Sequence, residues 1–389
     1  MAFRPRKVSL RPSLAAFALA ASLVLPGVAL AQGATASPWA LYFQGKGQAA
    51  RSMLEARLAV PGRESKRQLD DIGALLDICI QSFAFDCVQD HAPKYAQAAT
   101  TAVTPNATQQ REGLRYADYY LSYARFSGGS PEVVAKILDG GAWSHENASN
   151  ADLYIRRQLL AADILISQGR PLEAGRRLDK VLSLTASLTN PQADPFVVAR
   201  ALSESIARLL AIGDADRAYG IHAATHEMIT RSLPPLSVEA ARFKLIEAQL
   251  LEQRGDLQAA GRAADAAFVT LRQIELDPRA RDGMLSDATI LVAVACAARQ
   301  QGECARKALA AHPSSALYAQ SGRVPASPQE VLYLAARALG AAVEGKDDPV
   351  AAQALSAPVA FAADPDTRRR IEVYRVAGAA LASPAGRAR

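Results

Sequence analysis

The chain reads as an all-α protein, a superhelical solenoid of antiparallel helix hairpins. Three observations predict this. Glycines recur between helical segments at Gly129, Gly169, Gly213, Gly255, Gly302 and Gly345, at intervals of 40, 44, 42, 47 and 43 residues. The segments between breaks carry apolar residues at the period of a helix, as in Leu69, Ile72, Leu75, Leu76 and Cys79. Half of the residues are hydrophobic, many of them alanine, and only 6% are aromatic, a composition that favours closely packed helices over sheets. A repeat of about 40–47 residues cannot bury its apolar face alone and does so by stacking on its neighbours.

Residues 1–31 read as a secretory signal peptide. Arg4, Arg6, Lys7 and Arg11 form the positive start, Leu14 to Leu30 the apolar stretch, and Ala29-Leu30-Ala31 a small-residue site cleaved after Ala31. No cysteine follows it to carry a lipid, and no later stretch reaches the ~18 apolar residues of a transmembrane helix. The net charge of +6 belongs mostly to this segment: taking its four basic residues from 44 leaves 40 against 38 acidic ones, or +2. That balance supports no nucleic-acid partner. An exported chain of alanine- and arginine-rich style is expected to be periplasmic or secreted.

Residues 32–44 read as an extended leader and 45–382 as the repeat region. Gly47 to Ala59 is a short helix stopped by Pro61-Gly62. Glu64 to Gln81 follows, and after a turn over Phe83 to Asp86 the chain returns from Cys87 to Thr101. Ala107 to Phe126 carries Tyr116, Tyr119, Tyr120 and Tyr123, read as packing between repeats rather than as a ligand stripe. Ser130-Pro131-Glu132 has the cap, proline and acid of a helix start, and Trp143 to Asn150 reads as a loop. Helices are expected over Asn150 to Gln168, Leu172 to Leu188, Pro195 to Ile212 and Ala215 to Ser232. Pro234-Pro235 then breaks the chain. A pair follows around Gly255-Asp256, then Leu285 to Gln300 with a shorter Cys304 to Ala311. A loop from His312 to Ala326 precedes the helix capped by Ser327 and its brief partner Pro349 to Ala357. The last helix is Thr367 to Leu381, and 383–389 is a frayed basic tail.

The clearest unit is Leu245 to Pro278, where Ala248, Gly255 and Ala260 set a small residue, a Gly-Asp turn and a second small residue at intervals of seven and five. Ala162, Gly169 and Ala174 repeat it, and the Gly213 unit keeps only Ala218, with Ile206 at the earlier position. This pattern resembles the tetratricopeptide repeat family, in a variant longer than the family's repeat of about 34 residues. The resemblance implies a curved array whose concave side, lined by the first helix of each pair, holds a peptide or partner protein. It also leaves a second role open. Extended repeats of this kind form regulatory halves of hydrolases such as caspase-like CHAT-domain proteins.

No nucleophile elbow, phosphate loop or Cys-x-x-Cys is present, so no catalytic residue and no cofactor is assigned. His222 and His226 have the i, i+4 spacing that can share a metal, with Glu227 beside them. No third ligand is evident, and they read as partly exposed surface histidines. Four cysteines form two pairs of equal spacing, Cys79–Cys87 and Cys296–Cys304, each straddling a helix–helix turn. Both lie six residues before and two after a common turn position, Phe85 or Gly302, as expected of two disulfides in an exported chain. Counting back thirteen residues from Gly169, Gly213 and Gly255 gives Arg156, Arg200 and Arg242. Stacked units would align the three as a column able to hold a carboxylate-bearing segment, or to pair with local acids such as Asp152 and Glu239.

Overall fold

The computed structural model describes residues 37–62, 65–101, 107–129, 150–187, 194–318, 327–349, 351 and 365–382. The segments read from sequence as a signal peptide, as a helix start at Ser130, as a loop from Trp143, as most of the brief partner after Pro349 and as a basic tail lie outside the described residues. Among those described there are sixteen helices and no strand. In chain order they are α1 (Pro38–Phe43), α2 (Gly47–Leu58), α3 (Ser65–Gln81), α4 (Phe85–Thr101), α5 (Ala107–Ser127), α6 (Ala151–Ser167), α7 (Pro171–Ser187) and α8 (Pro195–Ala211). There follow α9 (Ala215–Ser232), α10 (Val238–Gln253), α11 (Leu257–Leu271), α12 (Pro278–Ala298), α13 (Gly302–Ala310), α14 (Ser315–Tyr318), α15 (Pro328–Val343) and α16 (Pro365–Ala382).

Side chains just outside the helices set where they begin. The oxygens of Asn150, Ser237, Asp256 and Ser327 accept the N–H groups of Leu153, Ala240, Ala259 and Glu330 at 3.1, 3.1, 3.0 and 3.2 Å. Each such cap contributes about 1 kcal/mol by satisfying a donor that the helix leaves open. Proline follows the cap in α1, α8, α12 and α15, where its missing N–H costs nothing. The segment read as an extended leader is corrected here. Pro38–Phe43 is helical, because Ser37 caps it and Trp39, Tyr42 and Phe43 give it an aromatic face to bury. The loop expected from His312 likewise contains the short α14.

The turns correct the reading of one glycine. Gly169, Gly213, Gly255 and Gly345 end their helices with φ of 69°, 84°, 81° and 65°, the left-handed geometry a side chain resists. Gly302 instead opens α13, and the left-handed residue of that turn is Gln300, with φ 59°. The equivalent in the first cysteine-bearing turn is Phe83, φ 57°. With Gln300 as the marker, the intervals after Gly255 become 45 and 45 residues, so the repeat is more regular than the glycines show. Each of these non-glycine turns has a disulfide four residues to either side: Cys79–Cys87 with Cα atoms 6.0 Å apart, and Cys296–Cys304 at 5.7 Å.

Consecutive helices pack on one another along the chain. The first members of successive pairs, α6, α8, α10, α12 and α15, also touch in sequence. Helices α11 and α12 approach closely, since a Cβ at Gly261 would meet Ala295 Cβ at 2.3 Å. Both ends of the described chain return to the middle. Gly45 accepts the N–H of Glu275 at 2.7 Å, and Tyr42 donates to Glu239 at 3.0 Å across 197 residues. Phe43 packs edge-on against Phe196, with centroids 5.2 Å apart. At the other end α16 lies against α8, α10, α12 and α15, and Arg370 Nε meets Glu252 at 2.6 Å with both side chains buried.

Candidate functional site

Arg156, Arg200 and Arg242 line one cavity of about 410 Å³, on helices α6, α8 and α10. Equal offsets from equivalent turns put them in one row, as the sequence spacing requires. The row continues in the corrected register. Thirteen residues before Gln300 stands Asp287, which with Arg242 lines an adjoining cavity of about 390 Å³. Phe83, Phe85 and Arg242 border both cavities, so the two form one trough divided by an aromatic ridge. Arg242 sits over the Phe83 ring at 5.0 Å, a cation–π contact.

The arginines do not stand free in this trough. Arg156 Nη1 and Nη2 reach Asp77 at 2.5 and 3.1 Å, and its Nε reaches Asp152 at 2.6 Å. Asp152 also accepts from Arg200 at 2.7 Å. Glu204 pairs with Arg242 and, at 2.5 Å, with Arg208, whose other arm meets Asp163 at 2.5 Å. Four guanidinium groups thus face Asp77, Asp152, Asp163 and Glu204, and the row is neutralised within the chain. With its amide nitrogen toward Glu239 and its oxygen toward Arg200, Gln81 bridges those two at 2.8 and 2.9 Å. Of the acids named from sequence, Asp152 pairs directly, while Glu239 receives Tyr42.

The electrostatics follow from burial against pairing. Burial raises Glu204, but Arg242 and Arg208 outweigh it and hold the carboxyl down to about 2. Burial likewise opposes Arg156 and Arg200 at Asp152, where the arginines prevail and the pKa falls. At Asp163 burial prevails over Arg208 and the pKa rises. Charge is therefore held firmly on Glu204 and Asp152 and less firmly on Asp163.

The tyrosines of α5 serve packing. Tyr119 and Tyr120 are buried, Tyr95 meets Tyr120 edge-on at 4.9 Å, and the Tyr120 hydroxyl donates to Asp77 at 2.9 Å. Tyr119 and Tyr123 also reach the cavity wall. Glu204 and Arg208 escaped sequence reasoning because no other unit has a charged residue at their offsets from the turn, and Asp77 because its turn is marked by Phe83 rather than by a glycine.

The histidine pair differs from its sequence reading. His222 is buried, not partly exposed, between α9 and Phe243 of α10. Burial, then the neighbouring His226, push its pKa down to about 4. The third group, which the sequence did not reveal, is Glu247 on α10, 3.2 Å from His226 Nε2.

Compared with protein-family models, curated proteins and solved structures, the chain matches none of them. Its fold defines an all-α protein of sequentially packed helices, compatible with a helical repeat solenoid. The four cysteines stand in two disulfide pairs, and no helix among the described residues is long and apolar enough to cross a membrane.

Proposed function

We propose that the protein is a non-enzymatic, exported scaffold of tetratricopeptide-like hairpins that holds a peptide segment of a partner protein in the trough beside Arg242. The observation that carries this reading is the pairing of two adjoining cavities around Phe83, Phe85 and Arg242. Aromatic rings and a guanidinium at the junction suit a segment with an apolar side chain next to a carboxylate. Because the arginine row is already matched by internal acids, a bound carboxylate exchanges with Glu204 rather than filling a vacancy. Affinity then comes from the aromatic ridge as much as from charge.

The same pairing decides the test. Replacing Arg156, Arg200 and Arg242 together would strand half-buried Asp77 and Asp152, and would damage the fold along with any site. Arg242→Gln alone leaves Glu204 paired with Arg208. Peptides pairing an aromatic residue with a carboxylate, in a fluorescence-anisotropy panel, are expected to bind the wild type. Arg242→Gln and Phe85→Ala should weaken them at least tenfold with unchanged circular dichroism. Equal binding by wild type and both variants refutes the site.

A further inference from the structure

We propose that His222, His226 and Glu247 form a binding site for a divalent transition-metal ion of the zinc type. The i, i+4 spacing on α9 turns both rings to one face, with centroids 5.0 Å apart. α10 brings Glu247 to the same point, so that one donor atom from each residue lies within 4.8 Å of the others. A filled tetrahedral zinc site has bonds of about 2.0–2.1 Å and hence donors about 3.3 Å apart. His226 Nε2 and Glu247 already stand 3.2 Å apart, and both side chains, 41% and 25% exposed, have room to adjust toward that geometry.

The second observation is independent of this spacing. Nε2 of His222 is buried and has no hydrogen-bond partner, and the residue is only 8% exposed. Buried polar atoms nearly always have a partner, so an orphan of this kind is met by an ordered water or by an ion. The His226–Glu247 contact taken alone as an ion pair leaves that atom unsatisfied; a metal held by that nitrogen together with His226 and Glu247 would satisfy it. Phe243 packs 5.4 and 5.7 Å from the two rings and forms an apolar wall behind them.

Two imidazoles and one carboxylate select zinc and its neighbours in the transition series over magnesium or calcium, which take oxygen ligands. Three protein ligands leave a fourth position, on the solvent side where His226 and Glu247 are partly exposed. The ion would join α9 to α10 across the Pro234-Pro235 break. None of its three ligands borders the arginine trough.

Tag-free protein, stripped with EDTA and dialysed, is titrated with Zn²⁺ by calorimetry and with Co²⁺ by visible absorption. One ion per chain and a tetrahedral Co²⁺ spectrum are expected. His226→Gln and Glu247→Gln should each lower Zn²⁺ affinity at least tenfold. His91→Gln, at a solitary histidine, should leave it unchanged. Replacing buried His222 also threatens folding, so the decision rests on the two partly exposed ligands. Absence of stoichiometric Zn²⁺ binding overturns the site, as does binding that survives both substitutions.

Discussion

Arg370 and Glu252 hold the last helix onto the middle of the chain, and Arg370→Met should release it. Their side chains are 2% and 0% exposed, and 118 residues separate them. Removing the guanidinium leaves a carboxylate in the interior with the Tyr374 hydroxyl as its donor. Stranding one member of a buried pair costs about 3–5 kcal/mol, mostly the desolvation of the charge left behind. The loss should fall first on α16, which this pair ties to α10 and which otherwise packs mainly on α15, with lesser contacts to α8 and α12. Hydrogen exchange read by mass spectrometry is the right assay, because helices of a stacked array open locally as well as globally. At an opening free energy lower by about 4 kcal/mol, α16 amides should exchange roughly 10³ times faster than in the wild type, while α6 to α9 change little. Removing both charges with Glu252→Leu and Arg370→Leu should restore most of the protection, since an apolar pair of similar volume leaves no charge uncompensated. If Arg370→Met changes exchange in α16 by less than about threefold, the pair does not hold the helix and the reasoning fails.

Three further outcomes are expected. Removing either disulfide, as Cys79→Ser with Cys87→Ser or Cys296→Ser with Cys304→Ser, should cost roughly 2–3 kcal/mol in urea unfolding, from the loop entropy of eight residues. The unfolded, non-reduced wild type should show no free thiol, and a count near four would end this account. Glu204 has its folded pKa lowered from 4.5 to about 2, so its contribution is complete above the unfolded value and is lost as pH falls through the folded one. That shift corresponds to about 3 kcal/mol between pH 4.5 and 2, and Glu204→Gln should flatten the fall of Tm with acid over that window. Gly261→Ala should destabilise by at least about 1 kcal/mol although alanine is the better helix former, because the new methyl meets Ala295 at 2.3 Å. Gly220→Ala, where nothing lies within 4 Å, should stabilise by about 0.5–1 kcal/mol, so thermal melts that move both variants the same way would contradict the packing.

Helices, caps and cysteine pairs were legible because each is written in residues close along the chain. Ser237, Asp256 and Ser327 are cap residues directly before an apolar period, and Cys79 and Cys87 flank a single turn. The register slipped at Gly302 because the left-handed position is held by Gln300, and glycine was the only visible marker of that geometry. The arginine row was legible for the reason a repeat is: Arg156, Arg200 and Arg242 keep one offset. Its neutralisation was not, since Asp77 meets Arg156 across 79 residues and Glu204 meets Arg242 across 38. Glu247 escaped notice on the same ground, being on the next helix after the histidines it faces. The closure of both ends on α10 follows no local pattern.

That closure also governs the order in which the chain can mature. An open stack can settle each pair as it emerges, since every unit needs only its neighbour. Here the backbone N–H groups of Gln48 and Ala49 find their acceptor in Glu275, 227 and 226 residues later. A chain delivered vectorially, from ribosome or translocon, must therefore carry its first helices unfinished until most of its length has arrived. Loop closure over such a distance is slow and leaves apolar surface open to intermolecular contact meanwhile. Tyr42, Phe43 and Trp39 are the surface at risk during that wait, and they place the hazard of aggregation at the beginning of the chain, long before α16 closes the other end.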